Sequence, residues 1–261
     1  MTSLAEHQSS QFTKILYIGN SSTGKTGSLV SLVADGYKLR ILDLDNGLDS
    51  LKAYVKKQCP DKLGNIDYET QRDSYKVANG QLVLNGPAKA FANSVKLLDK
   101  WSDESTPAEW GPDTIFVLDS LTRLGDAAFE WAKAMNPGAK DPRQWYGQAQ
   151  AGVESVLSML TDPRFATNVI VISHVKVSEL PDGTVKGYVS AIGQALGATI
   201  PTYFNTLVLA ESAGSGDNVK RKIKTVPTSL VDLKTPAPFA VPKDLPLETG
   251  LSTLFKTLKD N

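Results

Sequence analysis

Residues 14–26 read Lys14-Ile15-Leu16-Tyr17-Ile18-Gly19-Asn20-Ser21-Ser22-Thr23-Gly24-Lys25-Thr26. The first five are a short, largely apolar run that ends in glycine, which reads as a buried strand. The eight from Gly19 to Thr26 match G-x-x-x-x-G-K-[ST] in full. After Gly27, the spacing of Leu29, Leu32 and Val33 predicts a helix over 27–35, closed by Gly36. Residues 38–44 (KLRILDL) predict a second strand. Strand, glycine-rich loop, helix and strand thus fall within about 35 residues, the size of a βαβ unit.

This spacing has a chemical reading. Glycines let the backbone curl around a phosphate with its N–H groups turned inward. The helix that follows offers its positive end. Gly19, Asn20, Ser21, Ser22, Thr23, Gly24, Lys25, Thr26 and Gly27 are therefore the expected nucleotide cradle. Lys25 is expected on the β- and γ-phosphates and the Thr26 hydroxyl on Mg²⁺.

Further along, Ile115-Phe116-Val117-Leu118 runs into Asp119. A carboxylate at the C-terminal end of an apolar strand lies in the crevice where α/β sheets hold ligands, so Asp119 is expected in the Mg²⁺ shell. Ser120 reads either as a further polar contact or as a helix cap. Asp43, Asp45 and Asp49 follow the second strand; Asp45 is the choice for the group that positions the attacking water, with helix capping near Gly47 as the alternative. His174 ends another apolar run, 169–172, after Ser173. It reads as a γ-phosphate sensor or as a structural histidine.

The rest of the chain alternates apolar strands with helices: strands at 114–118 and 168–172, helices at 88–101, 120–134 and 144–160. That pattern predicts a mostly parallel sheet covered on both faces. Asn79-Gly80 and Pro181-Asp182-Gly183 mark hairpins within 75–84 and 175–189. Strands are also expected at 203–210 and 219–225, and the late hairpins are expected as antiparallel strands at one sheet edge. Pro236, Pro238, Pro242 and Pro246 then predict an extended connector before a short helix over 249–259.

The 261 residues are 41% hydrophobic, enough for a core, and Lys plus Arg (28) balances Asp plus Glu (28). A strongly basic coat for nucleic acid is thereby excluded, though not a local patch. The single cysteine, Cys59, excludes a disulfide framework and a cysteine-built zinc site. His7 and His174 are too few for a histidine-rich metal site. The polar start has no apolar signal region, and no apolar run approaches the ~18 residues of a membrane span. The expectation is a soluble, cytoplasmic protein without a membrane partner.

In this order, the loop 19–26, LDLDNGLDSL (42–51), IFVLDS (115–120) and VISH (171–174) resemble the RecA-like ATPase core. Asp45 falls where RecA-like recombinases carry the catalytic glutamate, one methylene longer. His174 falls where they carry a glutamine that couples nucleotide to a DNA-binding loop. DPRQWYGQA (141–149), residues 190–211 and RKIKTVP (221–227) are similar to phage-type AAA-ATPases of that superfamily, the Sak-type single-strand annealing or recombination ATPases. The resemblance implies a RecA-like P-loop NTPase core with antiparallel hairpin strands at one edge. It implies ATP and Mg²⁺ as cofactors, self-association as a ring or filament, and single-stranded DNA as partner, with a single-strand DNA-binding or annealing protein as a further one. If the chain is phage-encoded, its place is the host cytoplasm.

Arg221, Lys222 and Lys224 resemble the cations that RecA-like neighbours insert across the subunit boundary. DNA contacts are expected at Lys140, Arg143, Lys176 and Lys186, with Tyr146, Tyr188 and Trp145 as bases' stacking partners or, for Trp145 above all, as core. The domain reading is a flexible leader (1–11), a RecA-like ATPase domain (12–233), and a Pro-rich connector with C-terminal helix (234–261). A nucleotide-dependent assembly or packaging ATPase with a protein partner is the alternative function; a small-molecule kinase ranks lower, since no arginine-rich lid run is present.

Overall fold

Eight strands form the central sheet of the computed structural model, which describes residues 11–260. The expected flexible leader lies outside the described residues, Gln11 apart. β1 (Lys14–Gly19) is followed by α1 (Lys25–Ser28), α2 (Val30–Ala34), β2 (Lys38–Asp43) and α3 (Asp49–Gln58). β3 (Ile66–Thr70), a hairpin of β4 (Tyr75–Ala78) and β5 (Gln81–Leu84), and α4 (Ala90–Asp99) come next. β6 (Gly111–Asp119), α5 (Leu121–Met135), α6 (Arg143–Thr161) and β7 (Thr167–Ser173) follow. A second hairpin, β8 (Val175–Glu179) and β9 (Val185–Val189), and α7 (Gln194–Thr199) lead to β10 (Thr206–Ala213), β11 (Lys220–Lys224), β12 (Asp244–Pro246) and α8 (Leu247–Lys259).

The sheet order is β12-β11-β10-β1-β7-β6-β2-β3, parallel from β10 to β3 and antiparallel at β11 and β12. Period-2 alternation sends side chains to two apolar layers. Leu16, Ile18, Phe116, Leu118, Val169 and Val171 face the layer of α4, α5 and α6. Ile15, Tyr17, Ile115, Val117, Ile170 and Ile172 face the layer of α2, α3 and α8. The α/β class and the parallel sheet read from the strand pattern are therefore present.

Several boundaries differ. The single helix expected over 27–35 is two, joined at Leu29 through the tighter bonds Leu29 N to Thr26 O (3.3 Å) and Leu32 N to Leu29 O (3.0 Å). The hairpins at 75–84 and 175–189 form as separate two-stranded sheets. At the first, Asn79 and Gly80 both take positive φ (51° and 75°), as a tight I′-type turn requires. The antiparallel strands expected at one sheet edge are present: β11, within the predicted strand 219–225, pairs with β10, and β12 adds the outermost strand.

The segment 234–261, expected as a connector and helix outside the ATPase domain, is built into it. Leu245 of β12 pairs with Ile223 of β11. Leu251, Leu254 and Phe255 of α8 are buried in the layer that holds α2. Each such side chain contributes roughly 1.5–3 kcal/mol by leaving water, so this helix is part of the core. No helix among the described residues is long and apolar enough to cross a membrane.

Candidate nucleotide site

The C-terminal ends of four parallel strands come level. Asp43 lies opposite Asp119, Asp119 opposite Ile172, and Ile18 opposite Ser173. One strand, β7, separates β1 from β6. A parallel sheet opens its ligand crevice at this end, and the loop from Gly19 to Thr26 rises there.

The loop's shape explains its glycines. Gly24 has φ of 90°, and a Cβ there would stand 2.6 Å from Leu247 Cδ2 and 3.4 Å from Arg221 Cδ. A Cβ on Gly19 would stand 2.6 Å from the Ala210 carbonyl oxygen of β10. Ser22 also sits in the left-handed region (φ 63°). Among the described residues no acceptor takes the N–H groups of Ser21, Ser22, Thr23 or Gly24. Free backbone donors in a loop of this shape suit an anion.

Lys25 is 6% exposed, and its Nζ donates to the Gly19 and Asn20 carbonyls at 2.8 Å each. Burial lowers its pKa from 10.5 to about 8, against the opposing pull of Asp119 and Asp45. It is thus a positive charge at neutral pH, held by bonds a phosphate can replace. Thr26 Oγ1 donates to Asp119 Oδ2 at 2.7 Å. Asp119 is 2% exposed, and burial raises its pKa to about 6, reinforced by Asp45 and Asp43 and opposed by the Thr26 bond and Lys25. Two oxygen donors side by side, one of them an under-compensated buried carboxylate, fit a hard divalent cation such as Mg²⁺. Among the described residues no group of three or more His, Cys, Asp and Glu could hold a metal ion by itself. The Asp119–Ser120 peptide bond is cis.

Asp45 stands beside this pair. Its backbone N–H donates to the Asp119 carbonyl (3.3 Å). Its Oδ1 accepts from Ser120 Oγ (3.2 Å) and faces Arg123 Nε (3.5 Å), while Oδ2 faces His174 Nε2 at 3.8 Å. Burial pushes its pKa up, but contacts with His174 and Ser120 and the charge of Arg123 outweigh that, so the net shift is downward. Asp45 is a carboxylate at neutral pH.

The other two acids of that segment have local duties. Asp43 Oδ1 accepts from the N–H groups of Asp45 (3.1 Å) and Asn46 (2.7 Å), and Oδ2 from Thr70 Oγ1 (3.2 Å), so it braces the turn that carries Asp45. Asp49 is exposed in the first turn of α3, where a negative charge suits the helix dipole.

His174 follows β7 at the base of the β8–β9 hairpin. Its carbonyl accepts from Ser190 N (2.8 Å), and its own N–H donates to Thr122 Oγ1 (3.2 Å). Thr122 in turn donates to the Ser190 carbonyl (2.8 Å). The imidazole therefore touches Asp45 while its backbone closes the hairpin.

The structure does not bring Lys222 or Lys224 to Lys25 or Asp119. Both lie on β11 against their own chain's acids, Lys222 with Asp244 (3.2 Å) and Glu211 (3.8 Å), Lys224 with Asp244 (3.8 Å). Arg221 packs its stem beside Gly24 of its own chain's loop.

Of the expected DNA contacts, Arg143 pairs with Asp141 (2.7 Å) and Lys186 with Asp232 (3.2 Å), while Lys140 and Lys176 are exposed. Trp145 packs against the core, its Nε1 bonded to the Asn136 carbonyl (2.9 Å); Tyr146 is more exposed and lies 4.5 Å from the Phe129 ring. Tyr188 is half-buried on β9. The residue that sequence reasoning passed over is Arg123. Its signal was its place three residues past Ser120, at the same helix start.

The AAA domain family matches residues 11–237. No curated protein matches the chain. Among solved structures, the chain is similar to the flagellar accessory protein FlaH from Methanocaldococcus jannaschii, at 13% identity over 89% of this chain and 83% of that one (TM-score 0.43). It is also similar to the KaiC-like protein PH0186 from Pyrococcus horikoshii OT3, at 12% identity over 81% and 78% (TM-score 0.40). A third is EscN from the type III secretion system of enteropathogenic E. coli, an assembled ATPase solved with its central stalk, at 13% identity over 77% of this chain and 42% of that one (TM-score 0.44). With the phosphate loop, the strand-end acids and the parallel sheet in place, the chain belongs to the AAA domain family and is an ATP-hydrolysing P-loop NTPase.

Proposed function

We infer that the chain couples Mg-ATP hydrolysis to work on single-stranded DNA in recombination or strand annealing, as a Sak-type phage ATPase would. One observation carries this reading: Asp45 sits against His174, and His174 closes the hairpin that presents Lys176, Lys186 and Tyr188. A change at the γ-phosphate would reach that hairpin through one side chain.

In this mechanism the N–H groups of the loop and Lys25 Nζ hold the phosphates. Thr26 and Asp119 would hold Mg²⁺, which when bound would neutralise charge on the phosphate oxygens. Asp45 orients a water in line with the γ-phosphate. Most of the rate in such transfers comes from positioning and charge stabilisation. Lys222 and Lys224 complete the site of the next copy in a ring or filament, and a single-strand DNA-binding or annealing protein joins the assembly in the cytoplasm.

The exposed pair Val77 (74%) and Leu82 (76%), opposite each other on the β4–β5 hairpin, favours a second reading, an assembly ATPase with a protein partner. ATP hydrolysis with and without single-stranded DNA separates the two, with Lys25→Ala as blank. Stimulation by DNA that the variant loses supports the first; hydrolysis indifferent to DNA supports the second.

A further inference from the structure

Asp45 is held from three sides, and one of the three is unassigned. Ser120 Oγ and Arg123 Nε both address Oδ1, at 3.2 and 3.5 Å, from the N-terminal end of α5. His174 addresses Oδ2 from the end of β7. Ser120 Oγ also accepts from the Arg123 N–H (3.4 Å), so the two α5 contacts are linked. The guanidinium is itself anchored, Nη1 donating to Asp126 Oδ2 at 3.0 Å.

A helical Arg with an Asp three residues on can pair with that neighbour on its own helix. Here the fork is divided: Nη1 takes Asp126 on its own helix, and Nε takes a carboxylate that lies far away in the chain. A guanidinium has five donors at fixed angles, so it sets the direction of both partners. Its side chain also lines an open cleft of about 530 Å³ with Leu44, Arg72, Tyr75 and Tyr146. That cleft side is solvent-accessible, and Arg123 is its only residue with an ion pair to Asp45 among the described residues.

We propose that Arg123 is a positioning residue for ATP hydrolysis: by fixing the Asp45 carboxylate against α5, it sets where the attacking water stands. The inference rests on the reading of Asp45 above and goes beyond it. Among the described residues Arg123 pairs with Asp45 and Asp126 and not with Thr26 or Asp119, so its effect is expected on turnover and not on nucleotide binding. Small misplacement of an orienting group is costly in rate.

Steady-state ATP hydrolysis by the full chain tests this with Arg123→Ala, Arg123→Lys, Asp45→Asn and the Asp45→Asn/Arg123→Ala double variant. The expected result is a kcat about ten-fold lower for Arg123→Ala with KM for ATP unchanged within about two-fold. Arg123→Lys should recover part of that loss, since an ammonium reaches the carboxylate but cannot fix its angle. The double variant should be no slower than Asp45→Asn, because the two act as a unit. An unchanged KM also shows that the site is folded. A wild-type kcat in Arg123→Ala, or losses that multiply in the double variant, would overturn the proposal. If Asp45→Asn itself hydrolyses ATP normally, the reading of Asp45 fails instead.

Discussion

Asp119 and Asp45 end neighbouring stretches of the same crevice, close enough that the N–H of one bonds the carbonyl of the other. Their surroundings push them in opposite directions. Asp119 is enclosed at the end of β6, with a single hydroxyl on its carboxylate and other acids near, and burial holds its pKa at about 6. Asp45 stands on a turn, half-buried, with a hydroxyl, a guanidinium and an imidazole around it, and its pKa falls below the ordinary value. Two identical side chains whose environments separate their titrations are suited to two duties. On the proposed mechanism the under-compensated acid would hold a cation and the satisfied one would accept a water's proton.

The sharpest way to break this division is to remove the charge both acids face. Lys25→Ala should lower the hydrolysis rate by roughly 10²–10³-fold, as for loss of one preorganised donor at a transition-state oxygen. A turnover assay at saturating ATP checks it. Loss smaller than ten-fold would mean that the phosphates lie elsewhere.

The next test separates the acids by stability in metal-free protein. A buried carboxyl with a raised pKa keeps its proton where the unfolded chain has released it. Stability then falls as pH rises from about 4 to about 6 and stays lower above. Asp119→Asn removes that cost and keeps an acceptor for Thr26. The variant should be more stable than wild type at pH 7.5, by roughly 3 kcal/mol as an upper figure, and equal to it near pH 3.5. Urea titrations at the two pH values measure the difference. Asp45→Asn should show the reverse sign.

The smallest expected stability effect lies away from both acids. Lys222→Ala removes exposed pairs on β11 and should change unfolding free energy by less than about 0.5 kcal/mol. Its hydrolysis should fall, and added Lys25→Ala copies, which carry intact β11 cations, should restore it. Absence of rescue would place Lys222 outside any neighbour's site.

The legible parts of the molecule are those whose chemistry is local. The loop 19–26 needs glycine where the backbone turns left-handed or crowds β10, and that requirement is written at fixed spacing. Asp119 was legible because a strand's end and a helix's start meet there. Which of Asp43, Asp45 and Asp49 faces the site depends on how β2, β6 and β7 lie side by side, which no single segment encodes. Asp45, the choice for positioning the attacking water, stands beside Asp119, while Asp43 and Asp49 serve their own turn and helix. Arg123 was missed because its partner is brought to it only by sheet order. β12 was missed because three residues ending in proline carry no strand periodicity, and its pairing comes from α8 docking on the sheet.

The division of duty between the two acids is tested most directly by Mg²⁺ titrations of ATP hydrolysis in Asp45→Asn and Asp119→Asn side by side. The account predicts that Asp45→Asn lowers kcat by about 10²-fold with the Mg²⁺ half-point unchanged, whereas Asp119→Asn moves that half-point upward at least several-fold. A shifted Mg²⁺ half-point in Asp45→Asn, or an unshifted one in Asp119→Asn, would contradict it.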